Sequence, residues 1–113
     1  MPHLILEHSA DLGQGHDLQA LCDTMWELVV AHPSVTGPET VRVRTIAATA
    51  SRIGVEPQSF VHATLLLLPG RSDEVRQDMA QMVLDALDKE MPEIGSISVR
   101  LDDLNPPYIK RIL

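Results

Sequence analysis

The sequence contains one cysteine, Cys22, among 113 residues, so no disulfide can form within the chain. A single thiol is typical of a protein in a reducing cytoplasm, which is the location that the sequence predicts. No apolar run approaches the ~20 residues that cross a bilayer. The first eight residues carry neither the basic start nor the long apolar stretch of a secretory signal. We therefore expect neither a membrane partner nor export.

Positive charge is also scarce: there are 9 Lys and Arg residues but 16 Asp and Glu residues, which gives a formal net charge of −7. Such a chain lacks the basic surface that general nucleic-acid binding requires, and it disfavours docking on anionic membranes. Any anionic ligand must then be held by a local cluster of cations. Arginine suits this role because its planar guanidinium binds a carboxylate through two parallel hydrogen bonds. Seven of the nine cations are arginines, namely Arg42, Arg44, Arg52, Arg71, Arg76, Arg100 and Arg111.

The first half of the chain reads as strand, helix and strand. Residues 3–8 form a short apolar run that predicts a strand, and the polar stretch 9–17, with two glycines, predicts a loop. Apolar residues then recur at spacings of three and four, which predicts a helix over about 16–31. The alternating, β-branched stretch 40–49 predicts a second strand, and a connection over 51–58 follows it.

The second half repeats this order. Residues 59–68 form the most apolar run and predict a buried strand. Ser72 is a good helix cap, and the apolar stripe that follows it predicts a helix to about residue 90. Residues 96–102 alternate and predict a fourth strand, followed by a short tail.

The chain is therefore expected to be a single α+β domain, 1–113, built as a tandem βαβ repeat with pseudo-repeats at about 2–49 and 59–104. Two right-handed βαβ units give a four-stranded mixed sheet with both helices on one face. A chain of this length has no third layer for the other face. We therefore expect an oligomer that buries the bare faces of its sheets.

Pro2 is the first residue with a chemical implication. Methionine followed by a small residue such as proline is a normal substrate for removal of the initiator methionine, and removal of Met1 would leave a secondary amine at the chain start. An α-amino group titrates near ~8 in a free peptide, far below lysine. Burial and nearby cations lower its pKa further, which gives a base suited to moving protons at neutral pH.

A metal site is not expected. None of the histidines lies four residues from another on a helix, there is no His-Glu-x-x-His motif, and Cys22 stands alone. His3 and His62 are interpreted as half-buried strand residues, either of which could orient a substrate, and Cys22 and Met25 as core residues of the first helix. The five histidines are His3, His8, His16, His32 and His62.

Three stretches carry a family resemblance: Pro-His-Leu-Ile-Leu-Glu at 2–7, Val-Arg-Val-Arg at 41–44, and the run from Phe-Val-His-Ala-Thr-Leu at 60–65 to Pro-Gly-Arg-Ser-Asp-Glu at 69–74. Together they resemble the 5-carboxymethyl-2-hydroxymuconate isomerases of the tautomerase superfamily. The Gly-Arg-Ser-Asp-Glu step is also similar to 4-oxalocrotonate tautomerase, whose short chain corresponds to one βαβ unit. The resemblance covers residues 2 to about 104.

This resemblance implies a cofactor-free isomerase that assembles as a homotrimer and uses a processed N-terminal proline as general base. By position, Pro2 would be the base, Arg42 and Arg71 would hold the carboxylates of a small anionic substrate, and Arg44 would be a further substrate-binding candidate. The implied reaction is keto–enol tautomerisation of a 5-carboxymethyl-2-hydroxymuconate-like polycarboxylate in aromatic catabolism. Since only the first repeat can supply an amine, each chain would hold one site.

Other interpretations of the same residues stay open. Relatives with this fold also decarboxylate or dehalogenate small oxo acids. A trimeric module that binds an anion or a protein without catalysis is a third possibility. The sequence also leaves open whether Arg42 and Arg71 act on the Pro2 of their own chain or on that of a neighbour, and whether Arg44 instead pairs with surface acids.

Overall fold

The computed structural model describes residues 1–113 and contains four strands and three α-helices. Their order is β1 His3–His8, α1 Leu12–Gly15, α2 Leu18–Val30, β2 Arg42–Ala47, β3 Phe60–Leu67, α3 Asp73–Glu90 and β4 Ser96–Asp103. A short 3-10 turn, Pro38–Thr40, precedes β2. None of the helices combines the length and the apolar character needed to span a membrane.

The strands form one mixed sheet in the order β2-β1-β3-β4. The outer pairs, β1 with β2 and β3 with β4, are parallel, as the two βαβ units require. The central pair, β1 with β3, is antiparallel and places Leu4 opposite Leu65. The predicted α+β class, with a four-stranded mixed sheet, is confirmed.

The two long helices, α2 and α3, pack on one face of this sheet, as the sequence predicts. Leu4 and Leu6 of β1 belong to the same fully buried cluster as Met25 of α2 and Met79 and Val83 of α3. The period of two in the strands sends the intervening side chains to the opposite face, which no part of the chain covers as a layer. That open face carries His3, Ile5 and Glu7 of β1, Arg42 and Arg44 of β2, and His62 and Thr64 of β3.

Two details of the first half differ from the sequence-based expectation. The stretch predicted as a loop contains the one-turn helix α1, because Leu12 is buried in the core and its N–H donates to the Ser9 carbonyl at 3.2 Å. Helix α2 begins at Leu18, where the Asp17 side chain accepts a hydrogen bond from the Ala20 N–H. The glycines near Leu12 favour a loop only in the absence of that tertiary contact.

The extent of β2 and the burial of Cys22 also differ from the expectation. β2 is shorter than the stretch 40–49, since the 3-10 turn occupies its start and β1, its partner, ends at His8 opposite Ala47. Met25 is fully buried, as expected, but Cys22 is only partly buried because it lies one step around the helix from the buried stripe. Burial nevertheless raises the pKa of the Cys22 thiol, and the nearby Asp23 carboxylate adds to this shift.

Candidate active site

The chain start is built into the β1–β2 edge of the sheet. Pro2 is buried, and its carbonyl accepts a hydrogen bond from the Arg42 N–H at 3.0 Å. Parallel pairing of His3 with Arg42 continues the ladder from this point. The register of two strands therefore brings the first predicted arginine to the predicted base.

The Met1 side chain is buried as well, with 6% of its surface exposed. Its sulfur accepts a hydrogen bond from Arg42 Nε at 3.3 Å. The pKa of the terminal amine lies below its ordinary value of 8.0, first because burial disfavours the ammonium and then because the Lys110 and Arg71 charges repel it. The turn before α3 and the C-terminal segment therefore each contribute a cation that lowers the pKa of the same amine.

Arg71 is half-buried and held by hydrogen bonds to backbone and side chain. Its Nε donates to Ser34 Oγ at 3.2 Å, its Nη2 to the Ser34 carbonyl at 2.9 Å, and its Nη1 to the Leu68 carbonyl at 3.2 Å. A guanidinium has five N–H donors, so two remain for a ligand. The orientation of Arg71 is thus fixed by the loop after α2 and the end of β3.

Ser34 is in turn fixed by His32, a contact that sequence reasoning missed. The Ser34 N–H donates to His32 Nδ1 at 3.1 Å, so this nitrogen carries a lone pair and the ring proton is on Nε2. Nε2 donates to the Asp78 carboxylate of α3 at 2.9 Å. The sequence shows only a polar tract after α2, and this tract does not predict which residues His32 and Ser34 contact.

A second series of hydrogen bonds lies on the open face of the sheet. Arg44 Nη1 donates to His3 Nδ1 at 3.2 Å, and His3 Nε2 lies 2.9 Å from Tyr108 Oη. Burial lowers the pKa of His3 below 6.5, and the charges of Arg44 and Arg42 lower it further, which favours the neutral ring. Because arginine can only donate, the ring proton sits on Nε2 and is donated to Tyr108.

Arg44 therefore contacts a histidine, and the alternative of pairing with surface acids is not realised. Two other arginines do have carboxylate partners: Arg76 pairs with Asp103, and Arg100 pairs with Asp102. The cations near the chain start have no carboxylate within 4.0 Å; these are Arg42, Arg44, Arg71 and Lys110. The site thus gathers uncompensated positive charge in an acidic protein.

The remaining histidines are separate from this cluster. His62 Nδ1 lies 2.7 Å from Ser98 Oγ on the open face, and the buried His8 donates from Nδ1 to the Ser9 carbonyl at 2.8 Å. His3 and His62 are both part-buried strand residues, as the sequence predicts. No group of three or more His, Cys, Asp or Glu side chains is arranged to hold a metal ion.

No cavity of the single chain includes Pro2 or the four cations near it. The largest concavity, about 600 Å³, is a groove between α2 and α3 on the far side of the helix layer, lined by Leu28, Met82 and Ala86 together with acidic residues. With the Met1 side chain in place, the single chain therefore has no pocket around its start.

A family model described as 5-carboxymethyl-2-hydroxymuconate isomerase matches residues 2–99. The chain belongs to this family. The matched stretch runs from Pro2 through both βαβ units and into β4, so it contains Arg42, Arg44 and Arg71. The resemblance that the sequence motifs indicate is thereby confirmed, whereas Tyr108 and Lys110 lie beyond the matched residues.

Solved structures agree with this assignment at the level of the fold. A crystal structure of a 5-carboxymethyl-2-hydroxymuconate delta-isomerase matches with a TM-score of 0.84 at 17% identity, over 99% of this chain and 88% of that one. A 5-carboxymethyl-2-hydroxymuconate isomerase from Deinococcus radiodurans R1 gives 0.78 at 23% identity, over 97% and 88%. A fused 4-OT symmetric trimer gives 0.69 at 18% identity, over 95% and 91%. No curated protein matches the sequence.

Proposed function

We propose that this family member is a cofactor-independent isomerase that tautomerises a 5-carboxymethyl-2-hydroxymuconate-like unsaturated polycarboxylate, with Pro2 as the general base. The observation that carries the proposal is the buried chain start beside Arg42. The charges of Lys110 and Arg71 lower the pKa of the amine at this chain start. Membership of an isomerase family supports the reaction class. We place the activity in the cytoplasm, in the breakdown of aromatic compounds.

The base requires that Met1 be removed, since the Pro2 nitrogen is otherwise an amide. Removal would also vacate the buried space that the Met1 side chain occupies next to Arg42. The amine left on Pro2 would lie one residue from the position where burial and two cations already lower the pKa of an amine. The same burial and charges would lower the pKa of the Pro2 amine, which favours its neutral form.

The proposed reaction moves one proton and needs no other reactant. The neutral Pro2 amine accepts a proton from the 2-hydroxyl of the dienol or from an allylic carbon. The electron pair released shifts along the conjugated system, and the Pro2 ammonium returns the proton to a carbon further along the chain. Negative charge grows on the substrate oxygens during this transfer, where fixed guanidinium groups stabilise it most strongly in a poorly hydrated site.

Arg42 and Arg71 are the proposed carboxylate-binding residues, with Arg44 as a further substrate contact. Arg71 keeps two free N–H donors in a fixed orientation, which suits paired hydrogen bonds to one carboxylate. Arg42 and Arg44 point to the open face, as their alternation in β2 requires. The same positive charges favour the neutral amine, so one cluster serves binding and pKa tuning.

We further propose that the active unit is a homotrimer. Apart from the Tyr108 contact with His3, no layer of the chain covers the open face of the sheet, and a single chain forms no cavity at Pro2. The structural match to a fused 4-OT symmetric trimer supports an assembly in which neighbouring sheets cover each other. Neighbouring chains would then supply the missing wall of the pocket.

The decisive experiment is an ultraviolet assay with 2-hydroxymuconate-type dienols on protein whose intact mass shows loss of one methionine. Pro2→Ala, which keeps an amine but not the proline ring, should lower the rate strongly. A form that retains Met1 should be inactive. Normal turnover by the Met1-retaining form would overturn the proposal, because its Pro2 nitrogen cannot accept a proton.

Two alternatives remain from the sequence, and the same material tests both. Decarboxylation or dehalogenation of a small oxo acid would appear as release of CO₂ or halide in the absence of dienol turnover. A module that only binds would show affinity for dicarboxylates without turnover of any of these substrates. The uncompensated cations favour an anionic ligand in every case, so the reaction assay is what separates them.

A further inference from the structure

The C-terminal segment, residues 105–113, returns to the chain start. Tyr108 Oη lies 2.9 Å from His3 Nε2, although the two residues are 105 positions apart. Their rings also meet edge to face, with centroids 6.1 Å apart and planes at 88°. Two kinds of contact therefore hold this segment against β1, next to Pro2.

The directions of the hydrogen bonds at His3 leave the proton of the Tyr108 hydroxyl without a partner. Arg44 occupies His3 Nδ1, so the Nε2–H of the ring is donated to Tyr108 Oη. The Tyr108 hydroxyl accepts this bond, and its own proton has no partner within the chain. The proton of this half-buried hydroxyl is therefore available to a ligand.

Two cations accompany that donor. The Arg44 guanidinium keeps further N–H groups after bonding to His3, and neither Arg44 nor Lys110 has a carboxylate partner. Lys110 follows Tyr108 by two residues and acts on the terminal amine. A carboxylate, which only accepts hydrogen bonds when ionised, can accept the free proton of Tyr108, and cations without carboxylate partners nearby favour its negative charge.

We propose that Tyr108 donates a hydrogen bond to one carboxylate of the ligand, that the positive charges of Arg44 and Lys110 attract this carboxylate, and that His3 positions Tyr108. We name Tyr108, Arg44 and Lys110 the tail subsite. Its assignment to a second carboxylate of the isomerase substrate rests on the proposed function, in which Arg42 and Arg71 hold another. The subsite makes the protein selective for dicarboxylates over monocarboxylates.

Two unreactive probes test this selectivity on the full chain with Met1 removed. The dicarboxylate trans,trans-muconate can fill both carboxylate positions, whereas sorbate has the same conjugated backbone with a methyl group in place of one carboxylate. In calorimetric titrations, Tyr108→Phe should weaken muconate binding roughly tenfold, since a hydrogen bond to a charged group is lost, and should change sorbate binding by less than about twofold. Ile109→Ala, at a neighbouring side chain that is 93% exposed, is the matched control and should leave both affinities unchanged.

The positioning role of His3 has a separate readout. If His3 acts through Tyr108, His3→Ala should weaken muconate binding about as much as Tyr108→Phe, and the double variant should be no weaker than either single one. Additive losses would refute that role. Lys110→Gln provides a second variant that removes a charge from an exposed residue without removing the aromatic contact, and it too should lower the preference for muconate.

The outcomes separate this inference from the proposed function. Equal muconate affinity of the wild type and Tyr108→Phe, or no muconate binding by the wild type, overturns the tail subsite even if the dienol is turned over. Tyr108-dependent muconate binding in a protein that turns over no dienol supports the subsite and removes the proposed isomerase activity.

Discussion

Arg71 and Ser34 are joined by two hydrogen bonds, from Nε to Oγ at 3.2 Å and from Nη2 to the carbonyl at 2.9 Å. This pair joins the turn before α3 to the loop after α2, and it sets the direction of the guanidinium. An arginine that is oriented before the ligand arrives loses less side-chain freedom on binding. The loop after α2 is therefore part of the candidate site even though it contacts no ligand in the proposal.

Ser34→Ala should loosen Arg71 without removing its charge. The variant loses the Oγ acceptor but keeps the Ser34 carbonyl, so we expect KM for the dienol to rise by roughly threefold to tenfold and stability to fall by about 1 kcal/mol. Steady-state kinetics and urea unfolding measure the two effects. Ser51→Ala, at an exposed loop serine, is the control. An unchanged KM would show that Ser34 does not orient Arg71 for binding.

Arg71→Gln should move the pH dependence of turnover to higher pH. The proposed base must be neutral, so kcat/KM rises as pH passes upward through the pKa of the amine. The Arg71 charge lowers the pKa of the Met1 amine, one residue from the proposed base, so we expect its removal to raise the pKa of the Pro2 amine. In Arg71→Gln, kcat/KM should therefore begin to rise at a higher pH than in the wild type, and the same is expected for Lys110→Gln. Arg52→Gln, at an exposed arginine that does not contribute to this shift, should leave the profile in place; a shift to lower pH in Arg71→Gln would contradict the prediction.

His3 should contribute to a loss of stability in mild acid. Its pKa in the folded protein lies below the ordinary value of 6.5, so between these two values the unfolded chain binds more protons than the native one. The free energy of unfolding then falls as pH drops below 6.5 through this window. His3→Gln removes the titrating group, so urea unfolding at pH 7.5 and 5.5 should show a smaller acid-induced drop than in the wild type. An equal drop in both proteins would exclude His3 as a source.

Leu65→Ala should strongly destabilise the fold. Leu65 is fully buried in β3, opposite Leu4, and shortening a buried leucine leaves a cavity that typically costs about 2–5 kcal/mol. Denaturant unfolding at one fixed protein concentration measures the loss. Val55→Ala, at a side chain that is 66% exposed, should change stability by less than about 0.5 kcal/mol. Similar values for the two variants would place the core elsewhere.

Thr64→Glu should disperse the proposed trimer. Thr64 lies on the open face at the centre of the sheet, opposite Ile5, where an assembled neighbour would bury the new charge. Light scattering after size exclusion should show a smaller particle than the wild type. Thr24→Glu makes the same change on the exposed surface of α2 and should leave the particle size unaltered. A Thr64→Glu protein of unchanged size would show that the open face is not the interface.

The local pattern of the sequence was sufficient for most of the fold. The spacing of Leu21, Met25 and Val29 specifies one buried stripe of α2, and the alternation of β3 specifies which side chains enter the core. The Ser72 cap does accept a hydrogen bond from the Val75 N–H at 3.2 Å, so the start of α3 was also readable. These features follow from contacts a few residues apart, which is why periodicity and capping chemistry reveal them.

The partners of the site residues were decided only by the tertiary structure. Arg71 meets Ser34 across 37 positions, and Tyr108 meets His3 across 105, and no local pattern encodes either distance. The helical turn at Leu12 likewise depends on burial against the rest of the core. The sequence by itself therefore determined the order of elements and the residue types available for chemistry. Folding determined which of them meet, because long-range contacts are selected by the packing of the whole sheet and its helices.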